Sequence, residues 1–383
     1  MPRLQGRFAV KPAPKANIEA TKNQMGTVTA SKSLPLSTFF VESSRDHRAY
    51  EGVLVGRDPF NGGGSVDVPT YIVPLILRTH TIGTTVNSKG IIATKPGVTT
   101  FNPTVADKAC LSAPNNVPLT LFQQSPILQA AIFHVGGTFV GKTQYVDAFQ
   151  RANFSAVDNH DTYHVLLGPI KTLSPVFIDV PATKGLALST TSLGPPAFCA
   201  PMAIIDIDSF DALLDNHILP ALKLQGVNPS NFPIFFVSNV VWASPITNLA
   251  GCCFLGYHGT TGFPIQTYSP ADFDSTGLFG PETSDTATMS HEVAEWMNDP
   301  FGNNPTPAWG HTGQVAGCQD NLEVADPLSG TNVSPVVMPN HFTYHLQELA
   351  FFSWFYGAPS IGIHGWYSNN GTFRKDAGPP CQQ

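Results

Sequence analysis

Charge is what this sequence has least of. Only 12% of its 383 residues are Asp, Glu, Lys or Arg, about half the usual share. The 20 Lys and Arg stand against 27 Asp and Glu, for a net charge of −7. No Lys/Arg stripe exists to neutralise phosphates, so a nucleic-acid partner is not expected. No apolar run reaches the ~20 residues that a spanning helix needs, so no membrane span is expected. The start of the sequence is basic but has no hydrophobic h-region, and no secretory signal is visible in it. The six cysteines, at 110, 199, 252, 253, 318 and 381, include no C-x-x-C pair, which argues against a zinc site built from cysteine alone. No internal repeat is present.

What the chain has instead is turn formers and aromatics, with 33 Gly, 34 Pro and 26 Phe. Low charge with many turns points to a loop-rich, largely β protein that was exported rather than cytosolic; with no signal visible, either the true start lies upstream, or the route is unconventional, or the compositional reading fails. An even, widely spread set of cysteines fits two or three disulfides in an oxidising compartment. Neighbours on one strand face opposite ways. Cys252 and Cys253 are therefore expected to have different partners, or to leave one buried thiol.

The chain divides by texture. Residues 1–45 are polar and weakly patterned and read as a flexible N-terminal segment. Residues 46–190 carry short β-type runs at 71–77, 90–94, 163–167 and 175–180, separated by Gly- and Pro-containing turns, with one helix over 142–153. The stretch 185–201 is the best boundary. From 195 to 383 the pattern is mixed. A helix over 208–224 closes at Gly226, a strand runs over 234–242, and two pairing strands lie at 252–257 and 264–268. An aromatic helix is expected over 344–355. The fold class is therefore α+β: a β-rich domain at 46–190 followed by a mixed-sheet domain at 195–383.

The chemistry concentrates in one stretch of that second domain, Ser290-His291-Glu292-Val293-Ala294-Glu295-Trp296. It reads as a helix capped by Ser284 or Asp285 and stopped by Pro300. His291 and Glu295, four residues apart, project from one helical face, with Glu292 beside them. That is the geometry of a His-Glu-x-x-His zinc helix whose second histidine is a glutamate. His291 and Glu295 are the candidate metal ligands, and Glu292 the candidate general base for a metal-activated water. The competing reading is a helix with merely solvated acids, Glu292 being a first-turn acid favoured by the helix dipole.

The surrounding residues add a resemblance. His291-Glu-Val-Ala-Glu-Trp, Asn298-Asp-Pro, Ala308-Trp and Glu323-Val-Ala-Asp-Pro occur in that order. They resemble the signature of bacterial and fungal zincin-like metallopeptidases with a His-Glu-x-x-Glu motif, and are similar to the plant phosphate-induced EXORDIUM-like family. The segment Gly256-Tyr-His258 looks like that family's Cys-Gly-Tyr-His. The resemblance covers roughly residues 200–330. It implies a zincin-like catalytic domain, export and a peptidase activity. Pro327-Leu328 stands where the family has a cysteine, which implies a rearranged disulfide, with Cys318 as a candidate.

A zinc site needs a third protein ligand. Glu323 and Asp326, in the family-like stretch, are the favoured pair, as ligand or as acceptor behind a ligand. Asp299 lies eight residues after His291, but Pro300 disrupts the turn, and Asp299 is read as a turn residue. His311 offers a softer nitrogen donor or is a loop histidine. One histidine with two carboxylates is oxygen-rich, so calcium or manganese are alternatives to the expected zinc. His258, after a strand, is a candidate to polarise a substrate carbonyl or stabilise an oxyanion, set against a structural role. Tyr344, His345 and Glu348 are read as structural. Asn153, Asn332 and Asn370 begin glycosylation sequons.

The expected function is a secreted, metal-dependent hydrolase, most simply a zinc metallopeptidase acting on a peptide or protein substrate. The alternative is a non-catalytic extracellular or cell-wall-associated binding protein on a zincin-like scaffold, since fold alone does not imply function. A sugar-binding β-domain at 46–190 is a third reading, resting on aromatics and strand spacing.

Overall fold

The computed structural model describes residues 6–25, 33–87, 90–158, 162–191, 198–246, 252–310, 318–376 and 381. The architecture is mixed α+β and β-rich, organised on one 11-stranded sheet. Its strands are β1 (Arg7–Lys11), β2 (Ser65–Thr81), β3 (Gly97–Phe101), β4 (His164–Thr172), β5 (Val176–Val180), β6 (Gly185–Leu188), β7 (Met202–Asp206), β8 (Phe232–Ser238), β9 (Val240–Ala243), β10 (Phe254–Thr261) and β11 (Gln266–Phe273). The order across the sheet is β4-β2-β8-β11-β10-β9-β7-β6, with β3 and β5 on the far half of the long β2 and β1 beside β10. Strands from before and after residue 190 thus lie side by side, with β2 pairing β8 in parallel.

The sheet is covered on both faces. Along β8 the run Ile234-Phe235-Phe236-Val237 has no polar break because each face meets its own core. Ile234 and Phe236 join the larger hydrophobic cluster, while Phe235 and Val237 join a second one. The helical stretch from Ile207 to Gln225 covers the second face through Phe210, Leu214 and Leu222. Gly226 ends it with φ 98°, a left-handed position that glycine takes without a Cβ clash.

On the first face lie α1 (Tyr145–Asn153) and α2 (Ala287–Asn298). Every residue of α2 is buried. Trp296 anchors it by stacking on Phe232 of β8 at 3.7 Å and donating its indole N–H to Thr267 Oγ1 of β11. The N-cap is Thr286, one residue beyond the nearer of the two expected caps, and its N–H bonds to the side chain of Asp285. It stops at Asn298, just before Pro300.

Four further strands form two small sheets, one of which packs beside α2. They are β12 (Pro305–Gly310) paired with β13 (Cys318–Asn321), and β14 (Val333–Val337) paired with β15 (Thr343–Gln347).

Several expectations fail, each for a local reason. Residues 1–45 are not simply a flexible segment. Arg7–Lys11 is a sheet strand, Lys15–Met25 a helix, and Leu36–Glu42 pairs with Ala49–Val55. Phe8 and Ile18 are buried, and their polar neighbours had masked that apolar minority. The expected helix over 344–355 is instead strand β15, then a separate turn of helix, Phe352–Tyr356. Period-two alternation, with Tyr344 and Leu346 inward and Thr343 outward, is what decides it. The strand expected over 234–242 breaks at Asn239, which takes φ 57°.

Cys252 and Cys253 bond to each other. They precede β10 rather than lying within it, so the strand argument for opposite faces does not apply. Cys110 pairs with Cys199 and Cys318 with Cys381. Three disulfides point to an oxidising, extracellular-type environment. No helix among the described residues is long and apolar enough to cross a membrane. Asn153 is buried and accepts the Phe352 N–H, so its sequon is closed to glycosylation.

Candidate metal centre

Helix α2 delivers His291, Glu292 and Glu295. Strand β10 crosses its face with His258, and the turn after β13 brings Glu323 and Asp326 against it. All six are buried, none more than 5% exposed. Two sets of potential ligand atoms converge, each within 4.8 Å: His291, Glu295 and Asp326, and His258, Glu295 and Glu323. Glu295 belongs to both.

Hydrogen bonds fix which atoms face inward. Gln347 Nε2 donates to the Ala325 carbonyl, so its Oε1 is the atom facing His291 Nδ1 at 2.9 Å. An amide oxygen only accepts, so Nδ1 carries the proton and Nε2 presents a bare lone pair. That Nε2 lies 3.0 Å from Glu295 Oε2 and 3.6 Å from Asp326 Oδ1, yet makes no hydrogen bond. His258 follows the same logic. Its Nε2 lies 3.1 Å from the Asp299 carbonyl and must donate to it. Its lone pair at Nδ1 therefore points at Glu292 Oε2, 3.6 Å away, and Glu295 Oε2, 3.9 Å away, again without a hydrogen bond. Orientation of an imidazole by a partner on its far nitrogen is the usual support behind a metal ligand.

The carboxylates are held the same way. Glu295 Oε1 accepts the N–H groups of Ala325 and Asp326, leaving Oε2 directed at both imidazoles. Glu323 Oε1 accepts from Asn321 Nδ2, while Oε2 is buried with no N–H or hydroxyl donor. Asp326 Oδ2 accepts from Gln319 Nε2. Both oxygens of Glu292 are buried without a hydrogen bond, which holds for no other carboxylate among the described residues.

Electrostatics make the arrangement costly as it stands. Burial pushes the Glu292 carboxyl well above the usual range, and Glu295, Glu323 and Asp326 push it further. Glu295 and Glu323 are raised by burial too, with carboxylate neighbours adding to it. Burial holds the His291 imidazole down to about 4 and that of His258 down to about 3, so both are neutral. No Lys or Arg among the described residues forms an ion pair with Glu292, Glu295 or Glu323. Bare lone pairs aimed at buried carboxylates repel unless a proton or a metal cation lies between them, and two imidazoles among carboxylates are a donor set for the latter. The residues present therefore fit a divalent cation.

Close packing sets the position of Glu292. A Cβ on Gly256 of β10 would stand 2.9 Å from Glu292 Oε1 and 2.8 Å from Thr288 Cγ2. Gly256→Ala is expected to push strand and helix apart, at about 1–3 kcal/mol of stability. Denaturant unfolding with and without metal checks it, since a shifted Glu292 also alters the metal-dependent increment.

The remaining candidates fall elsewhere. Asp299 closes the turn after α2 by accepting the Asn303 and Asn304 N–H groups. Burial still pushes its carboxyl up to about 7. His311 lies outside the described residues. His345 pairs with Asp285 at the start of α2, and Glu348 accepts from Ser368 and Thr372 in a C-terminal turn. The oxyanion role expected of His258 conflicts with its geometry. The only N–H of its neutral ring is spent on Asp299, and the atom facing the cluster accepts rather than donates.

Sequence reasoning missed Gln347 and Phe8. Gln347 was hidden in a presumed helix, where its alternation with Tyr344 and Leu346 was the available signal. Phe8 stacks on His291 with ring centroids 3.5 Å apart, and nothing local to β1 announces that contact. No family model, curated protein or solved structure matches the chain.

Proposed function

We propose that the protein is a metal-dependent hydrolase of extracellular type acting on a peptide or protein substrate, on a zincin-like scaffold. His291, Glu295 and Asp326 would hold the ion, with zinc the expected metal and calcium or manganese the oxygen-preferring alternatives. The observation that carries the reading is Glu292. A site serving only to hold an ion has no need of an extra buried carboxylate with two unbonded oxygens, whose desolvation costs stability. A general base needs that freedom.

A divalent ion at this site would supply Lewis acidity, polarising a scissile carbonyl and making a neighbouring water more acidic. Glu292 would take the water's proton and return it to the leaving amine. Both of its oxygens are free of hydrogen bonds, so either can accept the proton and pass it on. Gln347 holds the His291 ring in the required tautomer, and the Ala325 and Asp326 N–H groups fix the Glu295 carboxylate.

A second reading, a non-catalytic binding protein whose ion is structural, is favoured by the burial of all six residues and by the Phe8 ring over His291. Cleavage of a casein or mixed-peptide substrate decides between the two. Cleavage that chelator abolishes and added Zn²⁺ restores supports the hydrolase. A metal-loaded protein that cleaves nothing, with or without residues 1–12, supports the binding reading.

A further inference from the structure

We propose that the centre is dinuclear: Glu295 bridges two divalent cations, one completed by His291 and Asp326 and the other by His258 and Glu323. The inference rests on the metal reading above and extends it to a second ion site.

The geometry divides the ligands into two sets that meet at one atom. Glu295 Oε2 lies 3.0 Å from His291 Nε2 and 3.9 Å from His258 Nδ1, while Oε1 is held back by two backbone N–H groups. A carboxylate pinned on one oxygen, with the other between two bare imidazole nitrogens, is placed to bridge. Each imidazole has one further carboxylate of its own within 4.8 Å, Asp326 for His291 and Glu323 for His258.

The second set is not explained by the first. His258 enters from the sheet, not from α2, and its far nitrogen is fixed by the Asp299 carbonyl. Its Nδ1 is fully buried without a hydrogen bond, and Glu323 Oε2 is buried with no N–H or hydroxyl donor, its carboxyl lying against that of Glu295. A mononuclear site at His291, Glu295 and Asp326 leaves both unsatisfied. A buried polar atom without a partner costs stability. Carboxylate-bridged pairs of this kind sit about 3.5–4 Å apart and clamp both the attacking and the leaving atom of a displacement.

The test is metal stoichiometry on the full chain, stripped with chelator and equilibrated with Zn²⁺ or Mn²⁺ alone. Wild type is expected to bind two equivalents, and His258→Ala and Glu323→Gln one each. Asp326→Asn is also expected to bind one, showing that either half can be lost separately. Mn²⁺-loaded wild type should give the exchange-coupled electron paramagnetic resonance spectrum of a pair, and Glu323→Gln that of an isolated ion. One equivalent in wild type, or an unchanged count in both His258→Ala and Glu323→Gln, overturns the proposal but leaves the mononuclear reading standing. No bound ion in wild type overturns both. Should a variant fail to fold, the wild-type count and spectrum still decide.

Discussion

If the proposed hydrolase function holds, Glu292→Gln is expected to lower kcat/KM for peptide hydrolysis by about 10²–10⁴-fold, the usual worth of a positioned general base, and to leave metal binding in place. The substitution keeps the shape of the side chain and removes only its capacity to take a proton. Both Glu292 oxygens lack hydrogen bonds, so the new amide breaks no existing contact. It also removes one member of a crowded group of buried carboxylates. The folded protein should therefore be no less stable than wild type, and a rise in Tm beside the loss of activity would separate the chemical role from a structural one. Kinetics, elemental analysis and thermal unfolding on one preparation check all three outcomes. Retained activity would remove Glu292 from the chemistry, and lost metal would make it a ligand.

Removing the proposed metal is expected to have the second large effect, on stability. A ligand present at about 1,000 times its Kd contributes roughly 4 kcal/mol to the folded state. Stripping it returns the carboxylates to mutual repulsion inside the fold. For a chain of this size the expected fall in Tm is on the order of 5–10 °C, reversed by Zn²⁺.

The loss depends on pH in a definite direction. Glu292, Glu295 and Glu323 have carboxyls raised well above 4.5 in the folded chain. In the metal-free protein their proton-linked stability is present below the ordinary value and is lost as pH rises through the raised ones. The imidazoles of His258 and His291, held at about 3 and about 4, stay neutral above 6.5 and do not oppose this trend there. The gap in Tm between loaded and stripped protein should therefore widen from pH 6.5 to 8.5. Metal uptake at neutral pH should release protons, measurable by calorimetry in buffers of different ionisation enthalpy. A gap that narrows with pH would place the ion elsewhere.

Helix α2 was legible because three local signals agree: a polar start, His291 and Glu295 one turn apart, and Pro300 as a stop. The paired strands over 254–273 were legible from their apolar runs and the turn between them. Other features depend on contacts distant in sequence. The apolar run Phe8-Ala9-Val10 is too short to announce a strand by itself, and Arg7–Lys11 is one because β10 offers an edge at Gly256 to Gly259. Gln347 supports His291 only because β15 packs beside α2, and a run of aromatics over 351–356 disguised that strand as helix. The vicinal pairing of Cys252 with Cys253 depends on where β10 begins, which patterning does not locate to the residue. Glu323 and Asp326 were legible as a pair. Their division between two histidines was not, because spacing along a turn does not reveal which carboxylate faces which ring.

The most direct test is the metal content of the purified, refolded chain, compared with His291→Ala and with the double variant His291→Ala/His258→Ala by elemental analysis. The account predicts tightly bound divalent metal in wild type, less in His291→Ala and none in the double variant, all three retaining their disulfides and β-rich circular dichroism. Equal metal in wild type and double variant, or none in wild type at any pH from 6.5 to 8.5, would contradict it.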